Sequence, residues 1–102
     1  MPTTDPRMTV QTLKVLSVVI ARADDVSGAD IARSTGLASG TLYPILLRLE
    51  DAGWVESRWE TEDPSELGRP RRRLYRITGV GARRARSAFR EHVVPLRRLA
   101  WR

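Results

Sequence analysis

Cysteine is absent from this chain of 102 residues, and histidine occurs only once, as His92. The absence of cysteine excludes disulfide bonds and thiolate metal sites. The sequence also has no Gly-rich phosphate loop, and no two carboxylates have a sequence reason to converge on a reacting atom. His92 lies near the apolar stripe of a predicted helix, so we expect it at a surface or interface rather than as a general base. The sequence therefore disfavours an enzyme, and it indicates neither a metal nor a cofactor.

Long apolar runs are missing as well, since none approaches the roughly 18 residues that a membrane-spanning helix needs. The first residues show no signal-peptide pattern. The length suits one domain with a modest core. We therefore expect a single-domain, cytoplasmic protein without a membrane partner.

Charge is distributed unevenly along the chain. Residues 69–102 contain twelve arginines and one acid, Glu91, whereas residues 1–68 contain six basic and eleven acidic residues. A basic second half indicates a polyanion as partner. Arginine suits this role because its planar fork grips phosphate in bidentate fashion. The alternative is that the arginines only reflect composition and keep the protein soluble.

Two helices in tandem are predicted within residues 30–52. Ser27 is suited to cap the first of them, with Asp30 three residues later. Ala32 provides a small side chain where two crossed helices touch, and Gly36 permits the left-handed turn between them. The second helix has apolar residues at helical spacing, namely Leu42, Ile45, Leu46 and Leu49. This pattern predicts a helix-turn-helix whose second helix can enter a DNA major groove.

Pro44 falls inside this second helix. If Thr41 is the N-cap, Pro44 lies in the first turn, where its missing N–H breaks no hydrogen bond. If Ser39 is the N-cap, one intrahelical hydrogen bond is lost and the helix bends slightly. In either case Gly40 allows the backbone to approach a ligand closely.

Two strand-like segments, residues 54–60 and 69–78, follow the second helix, and the sequence TEDPSELG joins them. Pro64 and Gly68 predict a turn-rich loop, so the pair is typical of the wing of a winged helix. The predicted core positions of the two strands are Val55, Ile77 and, at the strand edge, Trp59.

The loop between these strands has an acidic tip, which phosphate would repel. The predicted polyanion contacts therefore lie on the basic limb that follows, with Arg69, Arg71, Arg72 and Arg73. Strand alternation would place Arg71 and Arg73 on one face, and Arg72 with Leu74 on the other. For any single arginine the alternative is a solvated side chain, but for the group we favour phosphate contact.

We expect residues 1–8 to form a flexible arm, because they show no periodicity. Two more helices are predicted outside the motif, and the first of them covers residues 9–23, which have a helical apolar stripe. A last helix begins at Val80 with Thr78 as its cap, and Pro95 kinks or ends it. Because so small a domain cannot bury the whole apolar stripe of this helix, we predict a homodimer. The predicted dimer contacts are Ala85, Phe89, Val93, Leu96 and Leu99.

The segments SGADIARSTGLASGTLYPILLRLEDAGWVESRWE and GRPRRRLYRITGVG together resemble the winged-helix domain of PadR-like transcriptional regulators. The resemblance covers residues 9–81, and GTLYP, RLE and GRPRR are its more specific motifs. It implies a homodimeric repressor with a winged helix-turn-helix and a C-terminal dimerisation helix. The sequence departs from the family at Leu74, where an aromatic residue is common, and at Gly79 and Val80, where Pro-Glu is common.

The resemblance also implies a small aromatic or multidrug-type effector, bound near the dimer interface or acting through it. Candidate linings of an apolar cleft are Leu13, Leu16 and Ile20 of the first helix, together with Trp101. The alternative for Trp101 is that it packs on its own domain.

The predicted fold class is mainly α with a small β-wing. An arm (residues 1–8) precedes a winged helix-turn-helix DNA-binding domain (9–78) and a C-terminal dimerisation helix (79–102). The expected partner is double-stranded DNA at a palindromic operator, where the dimer represses transcription. Alternatives are a winged-helix protein-interaction module and, more distantly, an RNA-binding or architectural protein without sequence preference. The predicted DNA contacts are Ser39, Gly40, Thr41, Tyr43, Arg48, Arg69, Arg71, Arg72 and Arg73, although Tyr43 also suits a core position.

Overall fold

The computed structural model describes residues 5–22 and 24–92. These residues form α1 (Val10–Ala21), β1 (Val26–Ser27), α2 (Gly28–Thr35), α3 (Ser39–Asp51), β2 (Val55–Trp59), α4 (Pro64–Leu67), β3 (Arg73–Ile77) and α5 (Gly79–His92). The predicted fold class, mainly α with a small β-wing, is confirmed. No helix within the described ranges has the length and apolar character needed to cross a membrane.

Three of the helices are capped at their N-termini by a hydroxyl side chain. The Oγ1 of Thr9 accepts from the N–H of Thr12 at the start of α1, over 3.1 Å. Ser27 caps α2 through the N–H of Asp30, also at 3.1 Å, and Thr78 accepts from the N–H of Gly81 in α5 at 3.0 Å. Each bond satisfies a backbone donor that the first helical turn leaves without a partner. The predicted caps at Ser27 and Thr78 are confirmed.

The start of α3 differs from both predictions. Its N-cap is Ala38, which has extended backbone angles and makes no side-chain capping bond. Ser39 and Thr41 therefore lie inside the first turn, and neither is the cap. Pro44 falls beyond that turn, where it has no N–H to donate to the carbonyl of Gly40.

The turn between α2 and α3 agrees with the prediction. Gly36 has a φ of 73°, in the left-handed region that favours glycine, and its N–H donates to the carbonyl of Ala32 at 2.9 Å. This turn sends α3 across α2, which completes the helix-turn-helix.

The strands β1, β2 and β3 form one antiparallel sheet in the order β1-β3-β2. Val55 is buried as predicted, and Ile77 is partly buried. Tyr75 in the central strand is buried too, which the sequence did not indicate. The prediction that Trp59 belongs to the core is wrong, because Trp59 ends the edge strand β2 and its side chain is 57% exposed.

The basic limb of the wing is shorter as a strand than predicted. The regular ladder stops at Trp59 and Arg73, and residues 60–72 form the connection. This connection includes α4, which Asp63 caps by accepting from the N–H of Ser65 at 2.9 Å. Arg71 and Arg72 therefore precede the strand, and the predicted alternation of faces across them does not apply.

The core lies where α1 packs against α2, α3 and α5 and where the helices meet the sheet. Leu16 and Ala85 are both completely buried in it. The prediction that Leu16 lines an effector cleft is therefore wrong, and so is the prediction that Ala85 faces a partner subunit. Neither side chain is accessible to a ligand or to another subunit. The large core residues include Val15, Leu16, Val19, Ile31, Leu42, Leu46, Leu49 and Trp54.

The other residues predicted for the effector cleft and for the dimer interface are described only in part by the structure. Leu13 is half-buried, while Ile20 and Phe89 are partly buried and pack against the core. The remaining predicted residues, Val93, Leu96, Leu99 and Trp101, lie outside the described residues.

Gly81 allows α5 to approach the end of the helix-turn-helix very closely. A methyl group at this position would overlap the carbonyl oxygen of Trp54 and lie 2.7 Å from its carbonyl carbon. The Thr78 hydroxyl bonds the carbonyl oxygens of Gly53 and Trp54 at 2.6 and 3.1 Å. The junction between α3, β2 and α5 is therefore a tight contact of backbone against backbone.

Candidate nucleic-acid interface

The outer face of α3 is open to solvent. Its apolar residues Leu42, Ile45, Leu46 and Leu49 are buried, whereas the predicted contacts on this helix, Ser39, Gly40, Thr41, Tyr43 and Arg48, are all exposed. Helical periodicity produces this division because positions three and four apart share a face. The five predicted residues of α3 are therefore all accessible. Tyr43 faces the sheet, whereas Gly40, Thr41 and Arg48 border a hollow on the side of α1.

Tyr43 lies between the core and solvent. Its side chain is 44% exposed, so it is not a core residue. The ring rests against the start of α2, where a methyl group at Gly28 would be 2.7 Å from the hydroxyl oxygen and 3.0 Å from Cε1. Because Gly28 has no side chain, the Tyr43 ring can occupy that space. Gly28 therefore permits this position of Tyr43 on the surface, and no sequence pattern indicated the contact.

A hollow of about 450 Å³ separates α3 from the wing. We call it the wing hollow. Both helices of the helix-turn-helix and the sheet contribute to it, and three consecutive arginines line it together. Its lining residues are Gly28, Ala29, Tyr43, Trp59, Arg71, Arg72, Arg73 and Tyr75.

Arg69 is paired inside the protein. Its Nη1 and Nη2 donate to the two carboxylate oxygens of Glu60 at 2.7 and 3.1 Å. The Arg69 hydrogen bonds lower the pKa of Glu60 to about 2, and the N–H of Arg72 contributes to the same shift. Glu60 and Arg69 therefore both stay charged and hydrogen-bonded at neutral pH, and the Arg69 guanidinium stabilises the wing.

Arg73 connects the wing to the end of α3. Its Nε donates to the Oγ of Ser57 at 3.0 Å, and its Nη2 lies 3.9 Å from a carboxylate oxygen of Glu50. The Ser57 hydroxyl in turn donates to Glu50. The guanidinium carbon also lies 5.3 Å from the centre of the Trp59 ring, within the range of a cation–π contact. These contacts hold the sheet and α3 in one orientation.

The other three arginines predicted to contact DNA, Arg48, Arg71 and Arg72, are exposed or line the wing hollow. The Nε of Arg71 donates to the carbonyl of Glu62 at 2.9 Å, which orients an otherwise exposed side chain. Within residues 5–22 and 24–92, the guanidinium groups of Arg72 and Arg48 form no hydrogen bond or ion pair. Arg48, Arg71 and Arg72 are thus the predicted residues with guanidinium N–H groups free to donate to a phosphate, among the residues that the structure describes.

Sequence reasoning missed the residues that hold these arginines. Glu50, Ser57 and Glu60 come from α3, β2 and the wing connection, and their partners lie between 9 and 23 positions further along the chain. The contact between Trp59 and Arg73 could have been predicted, because the two residues are directly opposite each other in the antiparallel ladder.

A helix-turn-helix followed by an antiparallel hairpin, with arginines beside an exposed helix, defines a winged-helix protein. The family model described as the Transcriptional regulator PadR-like family matches residues 25–87. The chain belongs to this family. None of the curated proteins with which the chain was compared matches it in sequence.

Solved winged-helix regulators have the same fold. Apo MarR from E. coli superposes with a TM-score of 0.70 at 23% identity, over 88% of this chain and 62% of MarR. AbfR of Staphylococcus epidermidis gives 0.67 at 24% identity, over 87% and 55%. A mutant MarR from E. coli complexed with operator DNA gives 0.63 at 24% identity, over 81% and 54%. This chain therefore spans only part of the length of these proteins, and the likeness shows the fold.

Proposed function

We propose that the protein is a homodimeric repressor that binds a palindromic operator in double-stranded DNA and releases it when an effector binds. The observation that supports this most directly is the wing hollow. It places Arg71 and Arg72 beside the exposed first turns of α3, so a phosphate backbone and a major groove are within reach of one surface.

In this proposal the two surfaces have separate tasks. The first turns of α3 enter the major groove, where Ser39, Thr41 and Tyr43 contact base edges. Arg48, Arg71 and Arg72 contact phosphates, which fixes the register of the helix without reading sequence. Arg69 and Arg73 instead hold the wing in position, as their bonds to Glu60, Ser57 and Glu50 support.

The dimer in this proposal forms through α5 and the residues after it. Phe89 is partly buried against the core and continues into the predicted stripe of Val93, Leu96 and Leu99. A two-fold axis through this helix would present two copies of α3 to half-sites about 34 Å apart. The solved complex of a MarR mutant with operator DNA supports the assignment of DNA to this fold.

The effector part of the proposal depends on the family and on few residues of this chain. Leu13 and Ile20 retain partial exposure on α1 and remain candidates for a cleft near the dimer interface. Trp101 remains a candidate beside them. A planar aromatic molecule is the proposed ligand, since apolar and aromatic side chains favour stacking. Fluorescence titration of the protein and of Trp101→Phe with such molecules, with and without DNA, tests this part.

Selection of bound sequences from a random DNA pool tests the main proposal, and salt titrations of variants then separate the two tasks. Arg72→Ala should weaken binding to all sequences and reduce the salt slope by about one unit. Thr41→Ala should change the preferred bases by roughly 1–3 kcal/mol instead. Arg58→Ala is the matched control, because Arg58 pairs with Asp25 at 2.7 Å on the other face of the sheet.

Two outcomes would contradict the proposal. If Arg58→Ala and Arg72→Ala lowered the salt slope equally, the wing hollow would have no special role. If no duplex were enriched from the pool at moderate salt, the protein-interaction module would be the better assignment.

A further inference from the structure

Glu60 is an acidic residue at the base of a surface that we assign to DNA. Its side chain is only 12% exposed, and it joins the two limbs of the wing connection. Resting on the proposed function, we infer that Glu60 promotes DNA binding although its charge opposes that of phosphate. It acts as a positioning residue, because its hydrogen bonds keep Arg71 and Arg72 on the DNA-facing side of the wing.

The first support is that Glu60 and Arg72 are bonded twice. The backbone N–H of Glu60 donates to the carbonyl of Arg72 at 3.0 Å, and a carboxylate oxygen of Glu60 accepts from the backbone N–H of Arg72 at 2.7 Å. The regular ladder ends one step earlier, at Trp59 and Arg73. The Glu60 carboxylate thus accepts from the Arg72 N–H in place of a backbone carbonyl of the facing strand. This contact extends the pairing of the two strands by one residue.

The second support is that Arg69 completes the same contact. It donates two hydrogen bonds to the Glu60 carboxylate and a third, at 3.0 Å, to the carbonyl of Pro70. We call Glu60, Arg69 and the backbone of Arg72 the wing clasp. Fork-shaped pairing of arginine with carboxylate is among the stronger hydrogen-bond geometries, so the clasp closes the base of a connection that has only one helical turn of its own.

The clasp fixes the backbone from which the neighbouring arginines project. Arg71 and Arg72 lie between Arg69, which is fixed by the carboxylate, and Arg73, which is fixed by Ser57. Without the clasp, residues 60–72 would sample many backbone conformations, and ordering them on DNA would reduce the affinity.

Simple electrostatics makes the opposite prediction, which gives a sharp test. Removing a carboxylate near phosphate, and releasing Arg69 from it, should strengthen DNA binding by Coulomb attraction. If the clasp dominates, Glu60→Gln should instead weaken binding to the selected duplex about tenfold, the equivalent of one charge-assisted hydrogen bond. Glu60→Asp keeps the charge but shortens the reach, so it should weaken binding as well.

Glu62→Gln is the matched control. Glu62 lies two residues away on the same connection, it is exposed, and among the described residues its carboxylate forms no hydrogen bond or ion pair. Its removal should leave binding unchanged or tighten it. Affinities are measured by fluorescence anisotropy at several salt concentrations, and circular dichroism verifies that each variant is folded.

Binding by Glu60→Gln that equals or exceeds that of the unaltered protein would overturn the inference. Hydrogen exchange at the backbone amide of Arg72 provides a second readout that does not need DNA. This amide should lose protection in Glu60→Gln and keep it in Glu62→Gln, and unchanged protection in both would also overturn the inference. If the unaltered protein bound no duplex while this amide lost protection, the clasp would stand and the proposed function would be wrong.

Discussion

Substitution of Gly81 by alanine tests the packing of α5 on the helix-turn-helix. The added methyl group would overlap the Trp54 carbonyl oxygen and lie 2.8 Å from the Trp54 Cα. Carbon atoms in contact are normally about 3.5–4.0 Å apart, so the backbone must move by about 1 Å. Overpacking of this kind costs about 1–3 kcal/mol. The same movement weakens the bond from the Thr78 N–H to the Trp54 carbonyl, now 2.9 Å, by about 1 kcal/mol.

Alanine also has an advantage, because it is favoured over glycine in a helix by about 1 kcal/mol. The net expectation for Gly81→Ala is therefore a loss of about 1–3 kcal/mol in the free energy of unfolding. For a domain of this size that corresponds to a decrease in Tm of roughly 5–20 °C, measured by circular dichroism.

Gly79→Ala is the control for this experiment. It lies in the same helical turn, but a methyl group there would meet only an Nη1 atom of Arg83, at the ordinary distance of 3.7 Å. Its Tm should be unchanged or slightly higher. If Gly81→Ala melted within about 2 °C of Gly79→Ala, the close backbone contact would not limit stability and the reasoning would fail.

Three further predictions use other contacts. Gly28→Ala should displace the Tyr43 ring, and selection from the DNA pool should show altered base preference while the salt slope is retained. Phe89→Asp should give monomers in analytical ultracentrifugation and abolish binding to a palindrome, and a dimeric variant would refute the proposed interface. The Glu60 pKa is about 2 in the folded protein and about 4.5 in the unfolded chain, so its stabilisation is present above about 4.5 and is lost as the pH falls toward 2. Urea midpoints should therefore fall over this range in the unaltered protein and fall less in Glu60→Gln.

The helix-turn-helix could be predicted because its signals are local. Ser27 as cap, Gly36 in the turn and the apolar spacing of α3 each act within a few residues along the chain. The start of α3 could not be found in this way. Ala38 has no capping side chain, and the two nearby hydroxyls of Ser39 and Thr41 suggested caps that the structure does not contain.

The candidate site was predictable in composition but not in the roles of its residues. The arginines of the wing look alike in sequence, yet Arg69 and Arg73 bind protein groups while Arg72 faces the wing hollow. Those differences depend on partners from other elements, which no local pattern reveals. Ala85 shows the same limit, because the helical stripe does not distinguish a side that packs on α1 from a side that would meet another subunit.

The contact between α1 and α5 has a consequence for synthesis of the chain. These are the first and last helices that the structure describes, and they pack against each other in a single core. A nascent chain that has left the ribosome as far as β3 can form the helix-turn-helix turn and the wing hairpin, but the side of α1 that α5 covers stays exposed to water. Final closure must join segments that are far apart in sequence, which is the slow kind of step in folding. During translation this apolar surface of α1 thus stays open to aggregation or to chaperone binding until α5 is available to cover it.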